Sequence, residues 1–170
     1  APDSTEAAAI DRWLRSFEQA LQSGDRSRLA GLFAADSHWR DLVAFTWSIT
    51  PHRGAQSIAD ALARAQPGIG ASGFARNPKR APARRVKRLG KEVIESIFEF
   101  ETRTGSGSGV VRLLIDCPGQ AWVLLTSLEV LKGYEDKIDA RRPTGSAYSR
   151  NFGGDNWLDQ RLKRQTYADR

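Results

Sequence analysis

The hydrophobic period of this chain changes once, near residue 70, and that change constrains the fold more than any other feature. Before it, apolar residues recur at three- and four-residue spacing. Ile10, Trp13, Leu14, Phe17 and Leu21 make one helical stripe. Asp3 with Glu6 reads as a capping pair, and Gly24 ends this helix. Asp25 then caps a short second helix carrying Leu29, Leu32 and Phe33. Ile58, Ala61, Leu62 and Ala65 form a third stripe, closed by Pro67-Gly68. After the change the period is two. Ile94, Ser96, Phe98 and Phe100 share one strand face, and Val93, Glu95, Ile97, Glu99 and Glu101 share the other. Residues 105–109, Gly-Ser-Gly-Ser-Gly, read as a turn. Residues 110–115 and 121–131 follow as strands joined by Pro118-Gly119, and both are apolar on both faces. Segregated helices and strands predict an α+β domain, with N-terminal helices packed on a curved antiparallel sheet. One sheet face is then covered by helices, and the other lines a pocket or a dimer interface.

The chain's 170 residues predict one domain over 1–135 and a C-terminal strap or linker over 136–170. The strap holds a short helix from Asp155 with Trp157, Leu158 and Leu162. With Tyr148, Phe152 and Tyr167 it is too aromatic to read as simply disordered. No apolar run is long enough to span a bilayer, so no membrane partner is expected. The single cysteine, Cys117, excludes an internal disulfide. A chain that begins Ala1-Pro2-Asp3 and contains no Met has been processed or trimmed; a cleaved signal peptide is one route, and the cytoplasm is the expected compartment.

Formal net charge is +6, and much of the excess lies between Arg76 and Arg88. That run lacks the interleaved aromatics that stack on bases, which disfavours nucleic acid as the partner. It reads instead as a solvated loop feeding an edge strand, or as a face for an acidic partner.

Chemistry is concentrated in Asp36-Ser37-His38-Trp39-Arg40-Asp41-Leu42 and His52-Arg53-Gly54, which hold both histidines. If 36–42 were helical, His38 and Asp41 would share a face, and the carboxylate could orient the imidazole as a general acid or base. If extended, they would point to opposite faces. These two are the candidate catalytic residues, and His52 reads as a turn residue opening the third helix. Trp39, Trp47, Phe98, Phe100, Arg112 and Trp122 are the candidate pocket residues, suited to a hydrophobic small molecule. Arg112 and Glu129 could form a cross-strand pair. Neither histidine has metal-ligand spacing, so no metal is expected. No glycine-rich turn joins a strand to a helix, so no nucleotide cofactor is expected in this chain.

These residues carry a resemblance. The order helix, short helix, Asp36-Ser37-His38-Trp39-Arg40-Asp41-Leu42, then Arg53-Gly54 opening a helix, then long strands, resembles the nuclear-transport-factor-2-like superfamily in its SnoaL-like branch. The resemblance implies a cone of helices against a strongly curved sheet enclosing a pocket, with a possible homodimer through the sheet. More narrowly, the chain resembles the N-terminal domain of certain flavin-dependent monooxygenases. The shared motifs are Ala44-Phe45-Thr46-Trp47, Phe98-Glu99-Phe100-Glu101-Thr102, Gly109-Val110-Val111-Arg112-Leu113, Ala121-Trp122-Val123-Leu124-Leu125-Thr126, Arg142-Pro143 and Asn156-Trp157-Leu158-Asp159. That narrower likeness implies an accessory domain of an oxidoreductase whose FAD and NAD(P)H sites lie in a longer parent protein. The alternative it leaves is a stand-alone SnoaL-like isomerase, dehydratase or cyclase acting on a hydrophobic ring substrate through His38 and Asp41.

Overall fold

A computed structural model describes residues 5–136, 142 and 153–166. The chain divides into two compact units, Ala1–Glu135 and Asp136–Arg170. The first unit is α+β. Its helices are α1 (Thr5–Ser23), α2 (Arg26–Gly31) and α3 (Ala55–Ile69). Its strands are β1 (Phe33–Leu42), β2 (Ile49–Arg53), β3 (Ser72–Arg76), β4 (Arg84–Arg88), β5 (Lys91–Glu101), β6 (Gly105–Leu114) and β7 (Ala121–Leu131). In the second unit a capping box at Asn156 and Asp159 starts helix α4 (Trp157–Gln165), whose Trp157, Leu158 and Leu162 are exposed. Asp3, Tyr148, Phe152, Tyr167 and Pro143 lie outside the described residues.

Helices α1 and α3 form where the stripes place them, whereas α2 ends at Gly31, so that Leu32 caps it and Phe33 begins β1. Ile10, Trp13, Leu14, Phe17 and Leu21 are all buried along α1. Gly24 at φ +66° turns the chain out of α1, and the Asp25 side chain accepts from Arg28 N at 3.0 Å to start α2. Helix α3 does not stop at Pro67-Gly68. Pro67 lies in its last turn, and left-handed Gly70 ends it, with Gly70 N donating to Gln66 O. A proline costs least close to a helix end, where few hydrogen bonds remain to be lost.

The seven strands form one mixed sheet in the order β2-β1-β7-β6-β5-β3, with β4 also on β5. Strands β5, β6 and β7 are the expected antiparallel meander. The departure is β1, which pairs with β7 in parallel, Asp41 opposite Thr126. Register shifts in the β1–β7, β6–β7 and β3–β5 pairs bend the sheet. Helices α1 and α3 lie on its inner face.

The glycine-rich stretch 105–109 is the first half of β6 and not a turn; residues 102–104 make the connection. Gly107 pairs with Phe100, and Gly109 with Phe98. A Cβ at Gly107 would sit 2.6 Å from Phe100 Cζ and overlap Ser127 O, and one at Gly109 would overlap the Phe98 ring and Leu125 O. The glycines are bare so that the two rings can lie across them, which covers their exposed backbone. From there, aromatic rings continue in contact. Phe100 stacks on Phe74 at 5.2 Å, Phe74 meets Phe17 at 5.2 Å, and Phe17 stacks on Trp13 at 4.9 Å. Phe45 meets Phe100 at 6.0 Å and Trp39 at 5.6 Å. These rings fill the space between helices and sheet.

Candidate functional site

Segment 36–42 is extended, so the strand alternative holds and His38 and Asp41 point to opposite faces. Asp41 is fully buried on the inner face. Its Oδ2 accepts from Phe45 N at 3.0 Å, Thr46 N at 2.8 Å and Thr46 Oγ1 at 2.8 Å, and its Oδ1 accepts from Thr126 Oγ1 at 2.7 Å. Trp39 Nε1 donates to the same Thr126 oxygen at 3.0 Å. Asp41 is therefore a staple. It holds the 43–48 connection, where Val43 and Trp47 have positive φ, against β7. A carboxylate occupied by four donors has little capacity left to orient an imidazole on the other face.

The candidate pocket residues also separate. Phe98 and Phe100 are core, and Trp39 is core on one side and lines the outer cleft on the other. Trp47 is 55% exposed on the hairpin connection. Trp122 is buried, with Lys91 Nζ 5.4 Å above its ring. Arg112 stands on the outer face and does not pair with Glu129. It bonds Glu95 at 2.8 Å, because Glu95 and Arg112 are direct partners in the β5–β6 register. Glu129 takes Ser108 Oγ instead. His52 is not in a turn. It lies in β2 opposite Trp39, stacked on that ring at 5.0 Å, with Nε2 buried and unpartnered among the described residues.

The outer face is laid out by register. One row across the sheet reads Arg53, His38, Val123, Arg112, Glu95, Arg84. The next reads Pro51, Arg40, Leu125, Val110, Ile97. Over these rows lies an open cleft of about 400 Å³, walled by His38, Arg40, Pro51 and Arg112 and floored by Val110, Val123 and Leu125. Trp39 and His52 also line it, its walls are cationic or titratable except at Pro51, its floor is apolar, and no carboxylate lines it. Arg40 makes no ion pair among the described residues.

Beyond Arg112, a second hollow of about 210 Å³ opens around Glu95. Arg88 Nε and Nη2 grip the two oxygens of Glu95 at 3.2 and 3.0 Å, and Arg84 Nη2 reaches Oε1 at 3.2 Å. Hydrogen bonds from Arg88, with those from Arg112 and Arg84, hold the Glu95 carboxyl down at about 2, against the opposing effect of burial. Sequence reading placed Arg84 and Arg88 in a basic run and Glu95 on a strand face. Only the β4–β5–β6 register brings them to Arg112. Among the described residues, no three His, Cys, Asp or Glu side chains gather as a metal site requires, and no helix is long and apolar enough to cross a membrane.

No known protein family matches the chain, and no curated protein matches it. Solved structures do. A protein of unknown function with a cystatin-like fold from Methylobium petroleophilum is 12% identical, over 81% of this chain and 97% of that one, with a TM-score of 0.49. An NTF2-like protein of unknown function from Cytophaga hutchinsonii is 10% identical over 71% and 89%, with a TM-score of 0.44. A domain of unknown function with a cystatin-like fold from Nostoc punctiforme is 15% identical over 75% and 80%, with a TM-score of 0.51. At such identities the likeness is one of fold alone, and the α+β architecture is shared with the cystatin-like fold of the Nostoc punctiforme domain.

Proposed function

We propose that this domain binds a small ring compound in the cleft on the outer face of its sheet, with His38 as the group that exchanges a proton with it. The observation that carries this is the wall of His38, Arg40 and Arg112 over a floor of Val110, Val123 and Leu125. An apolar floor with a few convergent polar groups is the usual make-up of a small-molecule site. The stand-alone SnoaL-like reading is thereby kept, but its chemistry moves to the outer face and loses Asp41. The accessory-domain reading, with its flavin-bearing parent, rests on motif likeness alone. Several of those motif residues are accounted for by packing: Asp41 staples a loop, and Phe98 and Phe100 cover glycines.

The binding test is a proton–nitrogen NMR titration with naphthols and naphthoates. Amide shifts should concentrate at 38–40, 110–112 and 123–125. No shift, or shifts confined to inner-face positions such as Phe98 and Thr126, would sink the reading.

A proton-transfer activity is favoured by one observation: His38 is exposed on the cleft wall while Asp41 is fully occupied elsewhere. An imidazole suits exchange of a proton α to a carbonyl near neutral pH. Deuterium uptake by 2-tetralone in heavy water should exceed the buffer rate, and His38→Gln should lower the excess by about a hundredfold, a usual magnitude for a general base. Equal uptake with both proteins would dismiss catalysis while leaving binding intact.

A further inference from the structure

We propose that Arg84, Arg88 and Arg112 form an oxoanion subsite beside the cleft, so that the ring compound carries a phosphate or sulfate group. This rests on the cleft reading above and names its ligand class. The two hollows adjoin across their shared lining residues Val110 and Arg112. From His38 on β1 to Arg84 on β4 is four strand spacings, about 19 Å. A two- or three-ring body over Val110 and Val123 leaves its substituent near Arg112.

The cluster is built for such a group. Three guanidiniums surround one carboxylate, and no second carboxylate lies within ion-pair distance of them among the described residues. Glu95 draws four N–H bonds from them. With about five donors on each guanidinium, most of their capacity is free for an incoming oxoanion. Glu95 also fixes their orientation before a ligand arrives, which lowers the cost of ordering long side chains on binding. Arginine in paired geometry favours phosphate and sulfate oxygens, because its planar fork offers two parallel donors. The floor beneath it, Ile97 and Val110 with Pro82 at the rim, excludes water from one side. Excluding water strengthens each charged contact.

The test is calorimetric titration of the whole chain with 1-naphthyl phosphate and with 1-naphthol. The same titrations are run on the double variant Arg84→Gln, Arg88→Gln, whose fold is checked by circular dichroism. The phosphate should bind the parent chain at least about tenfold more tightly than the alcohol, and the double variant should lose that gain without losing the alcohol. The gain should also shrink as salt is raised. Equal affinity for the two probes would overturn the subsite while leaving the cleft. So would a phosphate gain that survives in the double variant, or that disappears in Arg40→Gln instead. Binding of neither probe would overturn both readings.

Discussion

Asp41 on β1 and Glu95 on β5 are both carboxylates of one sheet, yet they do different work. Asp41 is dry and accepts only neutral donors, two backbone N–H groups and two hydroxyls. Asp41→Asn keeps the shape but sets an amide N–H₂ against donors. Hydrogen bonds to a charged group contribute about 1.5–3 kcal/mol each, so a loss of about 2–4 kcal/mol is expected in urea unfolding. A loss below about 0.5 kcal/mol, the usual effect of a surface change, would remove the staple from the account. Glu95 is largely covered, its side chain 12% exposed, and it holds arginines. Its folded value of about 2 lies below its ordinary 4.5, so the ionised form favours the fold. The stability it contributes is complete above its unfolded value and drains away as pH falls through its folded one. Asp11, hydrogen-bonded by Arg76, and Asp36, hydrogen-bonded by Lys91, are lowered too and act with the same sign. Unfolding free energy should therefore drop from pH 5 toward pH 2, and Glu95→Gln should flatten part of that slope. An unchanged slope would mean the arginines do not hold the carboxylate in solution.

At the scale of elements, β5 and β6 are matched surfaces. Phe98 and Phe100 need flat partners, and Gly109 and Gly107 supply them. Gly109→Ala should cost more than about 3 kcal/mol, because the added methyl meets both a ring and a backbone carbonyl in a close-packed layer. Adding Phe98→Leu should recover part of the loss, since the smaller side chain vacates the space above the strand. Gly119→Ala is the contrast. At φ +87° with open space around it, it should cost only about 1 kcal/mol of backbone strain. Similar losses at the two positions would show that the rings are not packed on the glycines. The basic run 76–88 likewise resolves into parts. Arg76 binds Asp11 at 2.7 Å, Arg85 binds Glu6 at 2.7 Å, and Arg84 and Arg88 share Glu95. The alternation of a strand sends its charges to different neighbours, which the composition of the run does not show.

At the scale of the molecule, the outer face presents a cationic row beside an apolar one. Self-pairing through that face, the arrangement implied by the resemblance, would set Arg40, Arg84 and Arg112 of each copy close to like charges. Repulsion of that kind is screened only over a Debye length, about 10 Å at 0.1 M salt. With a net charge of +6, the chain should sediment as a monomer at low salt. A dimer that protects 38–40 and 123–125 from hydrogen exchange would close the cleft and contradict the binding reading.

Much of this was legible in the chain. The stripes of α1 and α3, the Asp25 cap and the period of two in β5 are local patterns, and each formed close to where it was read, but β1 and β2 are strands that precede the change near residue 70. The periodicity of β5 placed Phe98 and Phe100 on one face without a structure, but read them as pocket walls where they are core. What sequence could not supply were contacts between residues far apart in the chain. Asp41 meets Thr126, Glu95 meets Arg84 and Arg112, and Gly109 meets Phe98, all through strand register. The parallel β1–β7 pair follows no turn signal, because it joins segments separated by most of the domain. His38 looked like half of a pair with Asp41 because both readings of 36–42 were open. Strand pairing chose the extended one and turned the two side chains apart. Sequence alone therefore determined the three helices and the strands β5 and β7, whose spacing along the chain is regular, while 36–42 stayed open and His52 and 105–109 read as turns. The tertiary structure alone decided which side chains share a face, and so where a site could be built.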